Sequence, residues 1–130
     1  MRKSVVLIVL AIASLSLSAC ARGYQSSATP RNTLETFFTS AQKADYSTTY
    51  DCYDSQYKAT VSEADFVGHR GRAAVLKTYH IDELSVSGDS ANAVVSLTFA
   101  PVGGAGTSPH VTKVQERLVR ESGGWRIAVR

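Results

Sequence analysis

Near residue 75 the spacing of apolar residues changes from the period of a helix to the period of a strand, and any fold for this chain has to accommodate that change. Upstream, Leu34, Phe37, Phe38 and Ala41 fall at i, i+3, i+4 and i+7, and Asn32 stands three residues before Glu35, the spacing of a capping box. A first helix is therefore expected from Asn32. Asp45 is a suitable N-cap for a second, along which Tyr46, Tyr50, Tyr53 and Tyr57 recur at i, i+4, i+7 and i+11 as one aromatic stripe. A third begins at Ser62, with Asp65 three residues on and Phe66 facing the core, and His69 to Gly71 marks its end.

Downstream the period is two. Val75 to Val86 reads as a strand with a phase slip, because Tyr79 and Ile81 share one face while Leu84 and Val86 share the other. A bulge near Asp82 and Glu83 accounts for such a slip. Ser87 to Ser90 is a turn, and Ala91, Ala93, Val95, Leu97 and Phe99 alternate cleanly. Gly103 to Gly106 with Pro109 makes a loose connection to a strand over Val111 to Arg120. Gly123-Gly124 is a tight hairpin turn, after which Trp125, Ile127 and Val129 face inward. The expected architecture is α+β, with N-terminal helices packed on one face of a curved four-stranded antiparallel sheet.

The N-terminus carries a different message. Arg2 and Lys3 precede an uncharged stretch from Ser4 to Ala21, greasiest at Val5 to Leu10. That is a charged n-region and an h-region of secretory length. A permanent span needs about 20 predominantly apolar residues, and Ser14, Ser16 and Ser18 dilute the second half. Leu17-Ser18-Ala19-Cys20 resembles the bacterial lipobox. The resemblance implies a diacylglyceryl group on the Cys20 thiol, cleavage just before it, and a mature protein held on a membrane by acyl chains such as palmitate. One acyl chain binds marginally and two or more hold firmly. Residues 1–19 are then a signal peptide, 20–31 a lipidated flexible tether of small and polar residues, and 32–130 one small domain.

Charge excludes one class of partner. Without Arg2 and Lys3 the 14 Lys and Arg fall to 12, against 11 Asp and Glu. Nucleic-acid binding needs concentrated positive charge. Arg70-Gly71-Arg72, the densest basic spot, reads as an exposed helix end whose cations suit the dipole. With Cys20 lipidated, Cys52 has no disulfide partner and reads as a small apolar core residue. Three scattered histidines supply no metal-ligand spacing, and no phosphate loop, nucleotide fingerprint or nucleophile elbow is present. No cofactor is expected.

The order of elements is similar to the cone-shaped nuclear transport factor two-like, or cystatin-like, superfamily, and more closely to small bacterial lipoproteins of unknown function within it. The resemblance is carried by Ala44-Asp45-Tyr46 with Tyr50, by Ser62-Glu63-Ala64-Asp65-Phe66, and by Gly123-Gly124-Trp125-Arg126-Ile127. Some members of that superfamily are isomerases, cyclases or dehydratases working in the cone's pocket, and others bind ligands or partners, so the fold does not select a function. Their acidic residue or His–Asp pair inside the cone has no residue-by-residue match here.

Candidate ligand-binding residues are the stripe Tyr46, Tyr50, Tyr53 and Tyr57, together with Phe99, Glu116 and Trp125. Tyrosine hydroxyls need water or a partner, which suits the rim of a cavity, although such stripes more often pack a helix on a sheet. Glu116 shares parity with Val114 and Leu118, so if those face the helices it does too, and a buried carboxylate has a raised pKa. The opposite parity, with Arg117 and Val119 inward, leaves it in solvent. His80 and Asp82 beside the slip are a further polar pair. The expected function is a non-catalytic, membrane-anchored envelope lipoprotein whose domain binds a small apolar ligand or a protein partner. The alternatives are a pocket enzyme of isomerase or cyclase type using Glu116 or His80 as base, and a structural subunit of an envelope or secretion assembly. The anchor belongs on the periplasmic side of an outer membrane or the outer face of a plasma membrane.

Overall fold

A computed structural model describes residues 27–101 and 108–129. Cys20, the signal peptide, most of the tether and the Gly103–Gly106 connection lie outside the described residues. Helices α1 (Pro30–Gln42), α2 (Tyr46–Asp51), α3 (Ser55–Thr60) and α4 (Glu63–Arg70) precede strands β1 (Leu76–Ser87), β2 (Ser90–Phe99), β3 (His110–Glu121) and β4 (Gly124–Ala128). The strands form one antiparallel meander in the order β1-β2-β3-β4.

The first helix starts before Asn32. Thr29 is its N-cap, accepting from the Asn32 amide at 3.1 Å, and Pro30 occupies the first helical turn where a missing N–H costs nothing. The ordered chain reaches back further still, since Ser27 is buried and its hydroxyl donates to the Gly123 carbonyl at 3.2 Å. Residues 27–31, counted with the tether for their small and polar composition, therefore belong to the folded domain.

Helix α1 ends in a six-residue Schellman turn. The Asp45 amide donates to the Ser40 carbonyl at 2.9 Å and the Ala44 amide to Ala41 at 3.1 Å. Ala44 takes the left-handed conformation at φ 56 that glycine normally fills. Asp45 then caps α2, accepting from the Thr48 amide and hydroxyl at 3.3 and 2.7 Å.

The expected second helix is two helices. Between α2 and α3 the backbone of Cys52 to Asp54 leaves the helical path and pairs with β4. The Ile127 amide donates to the Cys52 carbonyl at 2.8 Å, and the Asp54 amide donates to Ile127 at 2.9 Å. Asp54 then caps α3 through the Tyr57 amide at 2.9 Å. A sheet edge offering free backbone groups overrides helical propensity here. Ser62 caps α4 as expected, with Asp65 reciprocating at 2.7 Å.

The strands follow the alternation closely. Register shifts at Ile81/Glu83, so Asp82 and Glu83 point to the same outer face and Leu84 returns to the inner one. Val129 departs from expectation: β4 stops at Ala128, and Val129 is 52% exposed. Helix α1 crosses the concave face diagonally, with Thr33 near its start donating to the Trp125 carbonyl at 3.1 Å and Thr39 near its end sharing a hydrogen bond with the Tyr79 hydroxyl at 3.1 Å. The half of the concave face nearest the β3–β4 turn is solidly packed by Leu34, Leu118, Trp125 and Ile127.

Two backbone positions give opposite expectations for one atom. Ala44→Gly removes a left-handed alanine and should stabilise the domain by about 1 kcal/mol. Gly124→Ala should destabilise it by roughly 1–3 kcal/mol, because Gly124 sits at φ 120 and an added Cβ would run into the Ser27 side chain and carbonyl. Urea midpoints at constant m-value measure both.

Candidate functional site

The other half of the concave face is hollow. A cavity of about 240 Å³ lies between the C-terminal half of α1, the helices α2 and α4, and the paired ends of β2 and β3. Small side chains account for it. Ala41, Thr49, Ala73, Ala74 and Thr112 stand where bulkier groups would close the gap. Leu76, Leu97, Phe99 and Val114 line the sheet side, and Phe37, Phe38, Tyr46 and Tyr53 line the helix side.

One acidic and one basic side chain open into this largely apolar space, Glu116 and Arg70. Glu116 projects inward from the middle of β3, opposite Ala93 on β2, as its parity with Val114 and Leu118 requires. Burial pushes its carboxyl up to about 7, and the positive charge of Arg70 opposes the shift without cancelling it. Among the described residues no group hydrogen bonds to that carboxyl. Arg70, the last residue of α4, lies over the Phe66 ring at 5.4 Å, and its positive charge acts on the Tyr53 hydroxyl. Burial pushes the Tyr53 hydroxyl up to about 12 despite that neighbour. Tyr53 is fixed by its rings' neighbours, edge-on to Phe37 at 5.3 Å and to Phe66 at 5.5 Å.

The tyrosine stripe divides because its helix divides. Tyr46 and Tyr53 reach the cavity, whereas Tyr50 packs against Phe66 at 5.6 Å and donates its hydroxyl to the Val61 carbonyl at 2.6 Å. Tyr57 lies against the outer side of the Tyr53 ring at 4.2 Å, bordering a shallow surface hollow with His69 and Arg72. Phe99 and Glu116 line the cavity. Trp125 does not: it is buried in the packed half, under the Arg120 guanidinium at 5.0 Å.

Arg70 is the cavity residue that composition misplaces. Read as an exposed helix end, it instead turns inward, and the signal for this is its spacing of four from the buried Phe66, which puts both on one helical face. The His80–Asp82 pair forms, but on the outer face of the sheet. Asp82 accepts from Ser96 at 2.6 Å and His80 at 2.9 Å and pairs with Lys113 at 3.3 Å, and these contacts pull its carboxyl down to about 2. Alternation from the inward Ile81 puts Asp82 on the face away from the cavity. Cys52 is buried with its thiol donating to Thr48 at 3.4 Å, and burial pushes that thiol up to about 12, the opposite of a reactive cysteine. Among the described residues no group of three or more His, Cys, Asp or Glu could hold a metal, and no helix is long and apolar enough to cross a membrane.

A carboxyl that resists ionisation in the folded state makes stability depend on pH. The folded protein should be most favoured below about pH 4.5, where Glu116 is protonated folded or unfolded, and should lose stability as pH rises through about 7. Glu116→Gln should remove this loss and gain about 1–3 kcal/mol over the parent at pH 8, discounted for the open cavity around the carboxyl, with no gain at pH 4. Denaturant midpoints across that range test it, and a gain that is equal at both pH values would contradict the assignment.

No family model and no curated protein matches the sequence. Solved structures do match. A SEC-C motif containing protein from Rhodopseudomonas palustris superposes with a TM-score of 0.67 at 12% identity, over 80% of this chain and 78% of that one. A Thiobacillus denitrificans protein provisionally described as a calcium/calmodulin-dependent protein kinase type II association domain gives 0.60 at 14% identity, over 77% and 90%. A Campylobacter jejuni protein provisionally described as an NTF2-like transpeptidase gives 0.54 at 16% identity, over 79% and 100%. At these identities the likeness is one of fold, and the fold is the nuclear transport factor two-like one that the order of elements implies.

Proposed function

We propose that this protein is a lipid-anchored envelope protein whose domain binds a small, largely apolar ligand in the cavity between α1, α2, α4 and the sheet. The observation that carries the binding reading is the cavity itself. A core that packs tightly at one end of the sheet leaves about 240 Å³ open at the other, walled by aromatic and aliphatic side chains with a few converging polar groups. Binding sites for small molecules have that composition, and this volume, just under the roughly 300 Å³ where such sites begin, suits a ligand of modest size. The anchor rests on the lipobox at Leu17 to Cys20 behind its charged n-region and apolar stretch.

A second reading has a specific observation in its favour. Glu116, with its carboxyl raised to about 7 and free of hydrogen bonds from the described residues, has the properties of a general base for proton transfer near neutral pH. It makes the domain a pocket enzyme of isomerase or cyclase type. Any turnover found should then disappear in Glu116→Gln while neutral ligands still bind.

The cavity reading is tested with a neutral probe, naphthalene-1-methanol, followed by its fluorescence. Ala41→Phe fills the space and should weaken binding by roughly tenfold or more with stability kept or raised. Tyr50→Phe removes the hydrogen bond to Val61 outside the cavity, so it should cost about 1 kcal/mol of stability and leave binding unchanged. Equal binding by parent and Ala41→Phe would place the probe elsewhere and sink the idea. For the anchor, protein extracted from native membranes should have an intact mass that begins at Cys20 and includes acyl chains. The Cys20→Ser variant should lack them and leave the membrane fraction.

A further inference from the structure

The polar groups of the cavity are few, and they converge. Arg70 from α4, the Tyr53 hydroxyl from the α2–α3 link and the Glu116 carboxyl from β3 meet at one wall, while the rest of the lining is aromatic or aliphatic apart from Thr49 and Thr112. Such a layout orients a ligand with one polar head and an apolar body. From it we infer that the ligand is a small amphipathic carboxylic acid, aromatic or short-chain, whose carboxylate is held between the Arg70 guanidinium and the Glu116 carboxyl. This rests on the cavity-binding reading and adds the chemistry of the head.

The sign of the head follows from the fixed charge. The Arg70 guanidinium carries a delocalised positive charge and presents five N–H donors in a planar fork. A guanidinium enclosed with an uncharged ligand leaves donors unmet, which is costly, whereas a carboxylate accepts two of them side by side. An ammonium head is repelled by the same charge, and the nearby Phe66 ring already carries Arg70 as its cation. Glu116 completes the site in its neutral form, donating its proton to the second face of the ligand carboxylate.

A pH dependence is built into that arrangement. Glu116 is faced by Arg70 from α4, by Tyr53 from the link and by Tyr46 from α2, and its sheet neighbours Ala93 and Val114 bring no charge. Of these groups Glu116 is the one poised to change charge near neutrality. When ionised it competes with the ligand for Arg70 and repels the ligand's own charge. Binding of the acid should therefore take up a proton and tighten as pH falls from 8.5 to 6.

Three probes that share one ring system and differ in the head make the test: 1-naphthoate, naphthalene-1-methanol and 1-naphthylmethylamine, titrated into the full domain. The naphthoate should bind roughly tenfold or more tightly than the alcohol at pH 6, as expected for hydrogen bonds to a charged group, and the amine should be weakest. Its affinity should rise by up to about tenfold per pH unit on acidification while that of the alcohol stays level. Arg70→Gln should erase the advantage of the acid and leave the alcohol's affinity intact, which also shows that the variant is folded. Glu116→Gln should keep the preference and flatten the pH profile. A preference for the amine, or one for the acid that survives Arg70→Gln, overturns the inference while leaving a binding cavity in place. Failure of the parent to bind the alcohol overturns the cavity reading itself. An alkanoate series from hexanoate to palmitate separates the two sources of such an acid: tightest binding by the short members identifies a free small acid, and tightest binding by palmitate identifies a lipid-derived one.

Discussion

Two backbone hydrogen bonds on the exposed edge of β4 determine how the helical layer sits. The Ile127 amide and carbonyl pair with Cys52 and Asp54, closing the edge of the sheet with a single bridging residue, Tyr53. Because those residues hold strand-like positions, the helix carrying them is cut into α2 and α3. Tyr53 is thrown inward between Phe37 and Phe66, and Tyr50 and Tyr57 are turned off the cavity. An open sheet edge is an aggregation hazard, and covering it is a general requirement. Here the cover also builds one wall of the site.

The concave face then divides along its length. Near the β3–β4 turn, large side chains from α1, β3 and β4 meet and exclude water, and Leu34, Leu118 and Ile127 have no exposed surface. Toward the far ends of β2 and β3 alanines and threonines stand among the larger lining residues, and the space stays open. A void forfeits dispersion contacts and a buried carboxyl forfeits hydration, so both features oppose folding. The packed half, together with the hydroxyl contacts that join α1 to α2 through Ser40 and Thr49 at 2.7 Å, offsets them.

The parts of this arrangement legible in the sequence are those governed by local period. The four strands, the bulge at Asp82 and the caps at Asp45 and Ser62 follow from spacing along a single element, whereas for Glu116 spacing offers two parities and the structure takes the inward one. What spacing does not contain is competition between elements. Asp45 and the tyrosine interval argue for one long helix, and only the partner strand β4, more than seventy residues away, explains why it breaks. Trp125 and Ile127 alternate correctly with the inner face, yet which half of that face is filled depends on the residues brought opposite by α1. Thr29 was obscured by Asn32, whose match to a capping box is good on its own; Pro30 at the first turn settles the start two residues earlier.

Arg70 shows the same limit in charge. A basic residue beside a glycine at a helix end is ordinarily solvated, and its neighbour Arg72 is exposed. What makes Arg70 different is geometry: it ends the short helix α4 one turn after the buried Phe66, so its stem follows the core face and its guanidinium arrives over the aromatic ring at the cavity wall. Had Glu116 and Arg70 met as a tight, fully hydrogen-bonded pair, each would satisfy the other and the carboxyl would ionise readily. Instead Arg70 lies over the Phe66 ring, and its charge falls short of offsetting the burial of Glu116. The mismatch leaves a carboxyl that resists ionisation and a guanidinium facing one largely apolar space, a layout that suits a ligand with an acidic head and an apolar body.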